Sequence, residues 1–343
     1  MRIALDALGT DGAPFPEVEG ALQALALAGG ESLHVVLVGD EEALTQALRA
    51  RGDSVPWDRI TVVHAPDRIE PGASPATAVR RRPNSSIVVG TRLQKDREVD
   101  AFVSAGSTGA VMAASLIFLR PLPGVDRPAI GTILPTAKGA TLMLDAGANV
   151  DCKPRHLHQF AHLGRIYAQD LMGIESPRIG LLNIGEEPEK GDELSVETHA
   201  LLSAASDLNF VGNIEGREVI RGGCDVLVCD GFVGNVLLKF YESVAGFMMK
   251  LLRAELSRTG TELDLERTFR ALDYAEYGGA PLLGVNGVTV ICHGASPAKA
   301  IANAVAVAAR AVEAGMVQDI ARELERNASE SPELPPSGSA PQA

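Results

Sequence analysis

The chain has 343 residues, 46% of them apolar and 4% aromatic, with 31 basic against 44 acidic side chains and a formal net charge of -13. That length and apolar content exclude disorder over most of the chain and suit one large α/β domain or two small ones, whereas the low aromatic share argues against a β-sandwich. The acidic balance, with no long Lys/Arg-rich tract, excludes nucleic acid as a natural partner.

The first residues, from Met1 to Pro14, run straight into a strand-like segment without the basic and apolar regions of a secretory signal. Ile3–Leu5 reads as a strand that leads into the turn Asp6 to Gly12, and a helix follows over Glu17–Ala28. His34–Val38 ends at Gly39-Asp40 before a helix from Glu41 to Ala50. Asp67 to Ser86, with Pro71, Gly72 and Arg80-Arg81-Arg82, breaks the rhythm and reads as a functional loop or lid. Phe102-Val103 leads into Ser104-Ala105-Gly106-Ser107-Thr108-Gly109 and a helix over Ala110–Leu119.

Thr141–Leu144 ends in Asp145-Ala146-Gly147-Ala148-Asn149, and Pro154 stands where a first helical turn accepts it, ahead of a helix to Leu171. Ile179–Leu182 leads to Asn183 and the charged turn Glu186-Glu187-Pro188-Glu189-Lys190-Gly191. Val226–Cys229 leads to Asp230-Gly231-Phe232-Val233-Gly234-Asn235 and a long amphipathic helix over Phe232–Leu256. Val288–Cys292 closes the series with His293-Gly294-Ala295-Ser296-Pro297, where Ser296 reads as the cap and Pro297 as the first residue of an Ala-rich helix. From Asn327 the tail, rich in Ser, Pro and Glu, reads as disordered, which leaves residues 1–326 as one α/β domain.

Strands alternating with helices predict a mostly parallel sheet covered on both faces, with ligands at the carboxyl ends of its strands, where the polar turns fall. Backbone amides in glycine-rich turns at helix N-termini attract anions, although each of Ser104, Asn149 and Ser296 taken singly is as well explained as a helix cap. Neither a GxGxxG fingerprint nor a GxxxxGK[ST] loop occurs, which disfavours dinucleotides and nucleotides and leaves inorganic phosphate as the expected anion, with no cofactor. His158 and His162 lie one helical turn apart, but Gln159 stands where a zinc protease carries its Glu, so they read as a helix surface pair. The four cysteines show no CxxC spacing and read as reduced, as in the cytosol.

Together these motifs resemble the phosphate acyltransferase family known as PlsX, the acyl-carrier-protein:phosphate transacylases, from Ile3 to about Glu313. The runs Ser104 to Ala110, Leu144 to Pro154, Leu181 to Gly191, Asn209 to Gly216, Cys229 to Asn235, Tyr277 to Gly284 and His293-Gly294 carry the likeness. The resemblance implies a Rossmann-like α/β/α fold similar to phosphotransacetylases and isocitrate dehydrogenase-like proteins, and a homodimer. It implies transfer of a long-chain acyl group from acyl-acyl-carrier-protein to phosphate. The acyl-phosphate would feed glycerol-3-phosphate acylation in phospholipid synthesis.

It also implies catalytic roles for Lys190 and Asn235. Asp6, Gly9, Ser104, Gly106, Ser107, Thr108, Gly109, Asn149, Asn183, Glu186, His293, Gly294 and Ser296 are the expected phosphate or acyl-phosphate residues. A cytoplasmic protein with partial peripheral membrane association is implied, through a tip around Phe247 to Leu272 that includes Met248, Leu251, Leu252 and Leu256. A glycerol-3-phosphate acyltransferase is a further expected partner. Ser107 stands where the family usually has Asn, and Thr10 where it usually has Gly. For an acidic carrier protein, Arg80 to Arg82 or Lys250, Arg253 and Arg258 are the basic clusters available.

Overall fold

The computed structural model describes residues 1–28, 33–259 and 276–330. Eleven strands form one sheet in the order β3-β2-β1-β4-β11-β10-β5-β6-β9-β7-β8. They are β1 (Arg2–Asp6), β2 (His34–Gly39), β3 (Ile60–His64), β4 (Ala101–Ser104), β5 (Ala129–Thr136), β6 (Gly139–Leu144), β7 (Ile179–Asn183), β8 (Phe210–Glu215), β9 (Val226–Val228), β10 (Ala280–Leu283) and β11 (Val288–Ile291). The strands are short and β-branched, and the central ones are buried along almost their whole length, as expected of a sheet covered on both faces.

Eleven α-helices are present among the described residues: α1 (Phe15–Leu27), α2 (Glu41–Arg49), α3 (Pro75–Arg81), α4 (Ser86–Lys95), α5 (Thr108–Phe118), α6 (Pro154–Met172), α7 (Glu193–Ala204), α8 (Gly216–Arg221), α9 (Gly231–Thr259), α10 (Ala298–Ala314) and α11 (Met316–Glu330). Alternate residues of each strand enter different cores. Ile3, Leu5, Val103, Leu144 and Val290 pack with α1, α2, α6 and α10. Ala4, Phe102, Met143 and Ile291 pack with α4, α5 and α8 on the other face. The result is the expected α/β/α sandwich.

The sheet is mostly parallel, but not throughout. β10 runs antiparallel to both β11 and β5, and β5 runs antiparallel to β6. The molecule therefore consists of two parallel halves of opposite polarity, β3-β2-β1-β4-β11 and β6-β9-β7-β8, joined through β10 and β5. Their carboxyl ends still meet. Leu144 at the end of β6 lies opposite Gly131, next to Ile130, which pairs with Leu282. Leu282 pairs with Thr289, which sits beside Phe102 in β4, so β4 and β6 end at nearly the same level.

Several local expectations are revised. The Asp67 to Ser86 segment is not a plain loop: it holds α3, and Ser85 caps α4 by accepting the Val88 amide at 3.4 Å. Pro297, not Ser296, is the cap of α10, because its extended ψ of 167° places the first helical residue at Ala298. His162 is no surface residue, being 3% exposed against Asp207, Glu323 and the edge of the His158 ring. Burial pushes its pKa down to about 4, so it sits there as a neutral ring. Helix α11 continues to Glu330, past the expected start of a disordered tail, and residues 331–343 lie outside the described residues.

Candidate active site

Two turns from opposite halves build the floor of the site. In the first, Asp6 at the end of β1 is buried and accepts Ser104 Oγ at 2.6 Å and the Leu8 amide at 3.0 Å. Ser104 Oγ in turn accepts the Gly106 amide at 3.0 Å. Burial raises the Asp6 pKa, partly offset by Ser104, Ser86 and the Arg68 charge. A side chain at Gly9 would lie 2.8 Å from the Ala105 and Gly106 nitrogens, so only glycine lets the β1 and β4 turns stack this closely. Asp6, Gly9, Ser104 and Gly106 thus form the bed of the turn; Asp6 and Ser104 satisfy each other beneath it. Thr10 fits the same bed, with its amide donating to Glu17 at 2.7 Å.

The turn ends in the N-terminus of α5. Ser107 precedes the helix and makes no side-chain cap bond. The first-turn amides of Thr108, Gly109 and Ala110 have no acceptor within the helix, and together with the helix dipole they offer positive potential to an anion.

In the second turn, Asp145 is completely buried and organises everything around it. One carboxylate oxygen accepts the amides of Ile130, Gly147 and Ala148 at 3.0, 3.2 and 3.1 Å. The other accepts the amide and the side-chain nitrogen of Asn149 at 2.6 and 3.0 Å. Burial raises the Asp145 pKa against these bonds. Asn149 also donates to the Pro128 carbonyl at 2.8 Å, so its amide is occupied within the protein rather than offered to a ligand.

Helix α9 lands directly on this turn. Asp230 caps it, accepting the Phe232 and Val233 amides at 2.8 and 3.0 Å. A β-carbon at Gly234 would lie 2.0 Å from the Asp145 carbonyl oxygen, so the helix approaches with no room to spare. The next residue, Asn235, lies over Gly147 and has no hydrogen-bond partner for its amide among the described residues.

Between the two turns lies a cleft of about 770 Å³. Thr108, Gly109, Gly147, Asn235 and His293 are among its polar lining, and Met112, Leu116, Ile133 and Leu238 among its apolar lining. His293 Nδ1 accepts the Ala295 amide at 3.1 Å, which fixes the neutral ring as the tautomer with its proton on Nε2. In the same loop the Gly294 carbonyl accepts the Asp11 amide at 2.8 Å, and buried Ser296 donates its amide to the His293 carbonyl at 2.9 Å. Gly294 and Ser296 therefore shape the loop that presents His293.

Other expected site residues stand apart from the cleft. Asn183 donates to the Lys190 carbonyl at 2.9 Å and accepts the Ile184 amide at 2.7 Å, bracing the loop after β7. Glu186 is exposed and paired with Arg217 at 3.3 Å. Lys190 is exposed on the same loop, at the same edge of the sheet but beyond β9, and does not line the cleft. Sequence reasoning did not single out Asp145, whose five hydrogen bonds leave no periodic signal. It also passed over Lys239, one turn from Asn235 on the cleft face of α9; that i, i+4 spacing was the available signal.

A family model described as "Fatty acid synthesis protein" matches residues 1–319. The chain is 50% identical over 334 residues to a phosphate acyltransferase of Desulforamulus reducens, covering 95% of this chain and 98% of the relative. It is 52% identical over 333 residues to one of Pelotomaculum thermopropionicum, covering 95% of each. Among solved structures it is similar to the EutD phosphotransacetylase from Staphylococcus aureus, with a TM-score of 0.58 at 17% identity, over 91% of this chain and 94% of that one. A phosphotransacetylase from Streptococcus pyogenes gives a TM-score of 0.60 at 16% identity with the same coverage. These two likenesses concern the fold.

Proposed function

The chain belongs to the phosphate acyltransferase family and is an acyltransferase of fatty-acid and phospholipid synthesis, and on that premise we propose that its donor is a long-chain acyl-acyl-carrier-protein. The observation that carries this reading is the double character of the cleft: an apolar wall suited to an acyl chain faces polar groups suited to a phosphate. A hydrogenphosphate oxygen adds to the thioester carbon, the C–S bond breaks, and the phosphate proton ends on the departing thiol. The step balances without a metal or an acyl-enzyme. Asn235 is placed to donate to the carbonyl oxygen as it gains charge, a contribution of about 10²–10³ in kcat for one such donor. Acyl-phosphate, an activated acid, then feeds acylation of glycerol 3-phosphate, and an acyltransferase for that step is the partner this reading expects.

The same reading makes the protein a cytoplasmic homodimer with partial peripheral membrane contact. Helix α9 supports it. Phe232, Val236, Phe240, Val244, Phe247 and Leu251 form one stripe of exposed apolar side chains, joined by half-exposed Met248 and flanked by Leu252 and Leu256. The rest of the expected tip, residues 260–272, lies outside the described residues. No single described helix is long and apolar enough to cross a membrane.

The deciding experiment follows phosphate-dependent release of carrier thiol from palmitoyl-acyl-carrier-protein, with acyl-phosphate identified by mass. Turnover is expected with that donor. Turnover only with coenzyme A thioesters would transfer the reading to a transacylase for short or coenzyme-bound acids.

A further inference from the structure

Helix α9 presents two polar side chains to the cleft in successive turns, Asn235 and Lys239. Among the described residues, Lys239 is the one lysine or arginine in the cleft lining. It makes no salt bridge among the described residues, although Glu242 shares the same wall. Lys239 and Lys190 are both exposed, but Lys190 stands on the loop after β7, held there through its own carbonyl by Asn183, and is not part of the cleft lining.

The opposite wall supplies no lysine or arginine: its donors include the first-turn amides of α5, beginning at Thr108, and Nε2 of His293, whose other nitrogen accepts the Ala295 amide. Neutral donors orient an anion. A dianion displaced from water also requires a counter-charge close by, because desolvating it unpaired is costly. Lys239 is the side chain positioned to provide that charge, on the same helical face as the amide that would hold the carbonyl oxygen.

We infer that Lys239 is the phosphate-binding cation of this cleft, holding the attacking anion between α9 and the α5 N-terminus. The inference rests on phosphate as acyl acceptor and is independent of which thioester is the donor.

The test uses the full-length protein and inorganic phosphate. Wild type should show a phosphate-dependent rise in Tm; Lys239→Gln should lose it, Lys239→Arg should keep most of it, and Lys190→Gln should keep all of it. With acyl thioester saturating, Lys239→Gln should raise KM for phosphate about 10–100-fold, the range of one charge-assisted hydrogen bond, with KM for the thioester unchanged. A merely structural lysine would lower the baseline Tm and leave the phosphate-dependent rise intact. That outcome, or loss of the rise in Lys190→Gln alone, would overturn the assignment. Failure of one thioester as substrate would alter the donor reading and leave the Tm result to stand by itself.

Discussion

Gly234→Ala gives a steep test of how the cleft is held. The added methyl would sit 2.0 Å from the Asp145 carbonyl oxygen, whereas ordinary contact begins near 3.4 Å. Asp145 cannot yield, because its carboxylate holds Ile130, Gly147, Ala148 and Asn149. The first turn of α9 must therefore move outward by about 1.4 Å, carrying Asn235 with it; a misplacement near 1 Å costs about 10²-fold in rate. Overpacking adds a loss of about 1–3 kcal/mol in stability. The assay is phosphate-dependent thiol release under saturating substrates, beside urea unfolding. Gly246→Ala on the same helix serves as control, since nothing lies within 4 Å of its β-carbon position; it should gain up to about 1 kcal/mol and keep full activity. Wild-type kcat in Gly234→Ala would refute the claim that the α9 landing sets the geometry of Asn235.

Ser104→Ala removes the donor to buried Asp6 and the acceptor for Gly106, so it should cost about 1–3 kcal/mol by urea unfolding and raise KM for phosphate; unchanged values in both would remove the bed from the site. Glu17 is buried, and burial pushes its pKa from 4.5 to about 7. The folded state therefore holds a proton that the unfolded state has lost between those values, so stability falls as pH rises from about 4.5 to 7 by about 3 kcal/mol and is level above. Glu17→Gln should abolish that slope, and an equal slope in both proteins would assign it to another group. Paired substitutions Val236→Glu and Phe240→Glu should convert a dimer to monomer by light scattering while the far-ultraviolet spectrum is kept; a persistent dimer would place the interface off α9.

Most repeating units were legible in the sequence because a buried β-branched run followed by a Gly/Ser/Asn turn and an amphipathic stretch is a local pattern. Polarity was not legible. Hydrophobic periodicity carries no direction, so the antiparallel course of β10 and of the β5–β6 hairpin could not be read from it. The chemistry of the turns was visible, but its allocation was not. Asn149, Asn183 and Ser104 have the side chains of ligand donors, yet each is satisfied inside the protein by partners that only the tertiary structure supplies. Lys190 was conspicuous because it sits in a charged motif; Lys239 was hidden in an amphipathic helix whose face became meaningful once α9 was seated on Asp145.

The seam between the two halves is narrow: β10 and β5 share only the registered pairs Leu282 with Ile130 and Leu283 with Ala129. Thr108 and His293 hang from one side of that seam, Asn235 and Lys239 from the other. The spacing of the two walls is therefore set by the twist of the sheet at this seam, which α6 and α10 brace by packing across it in one core, rather than by any one loop.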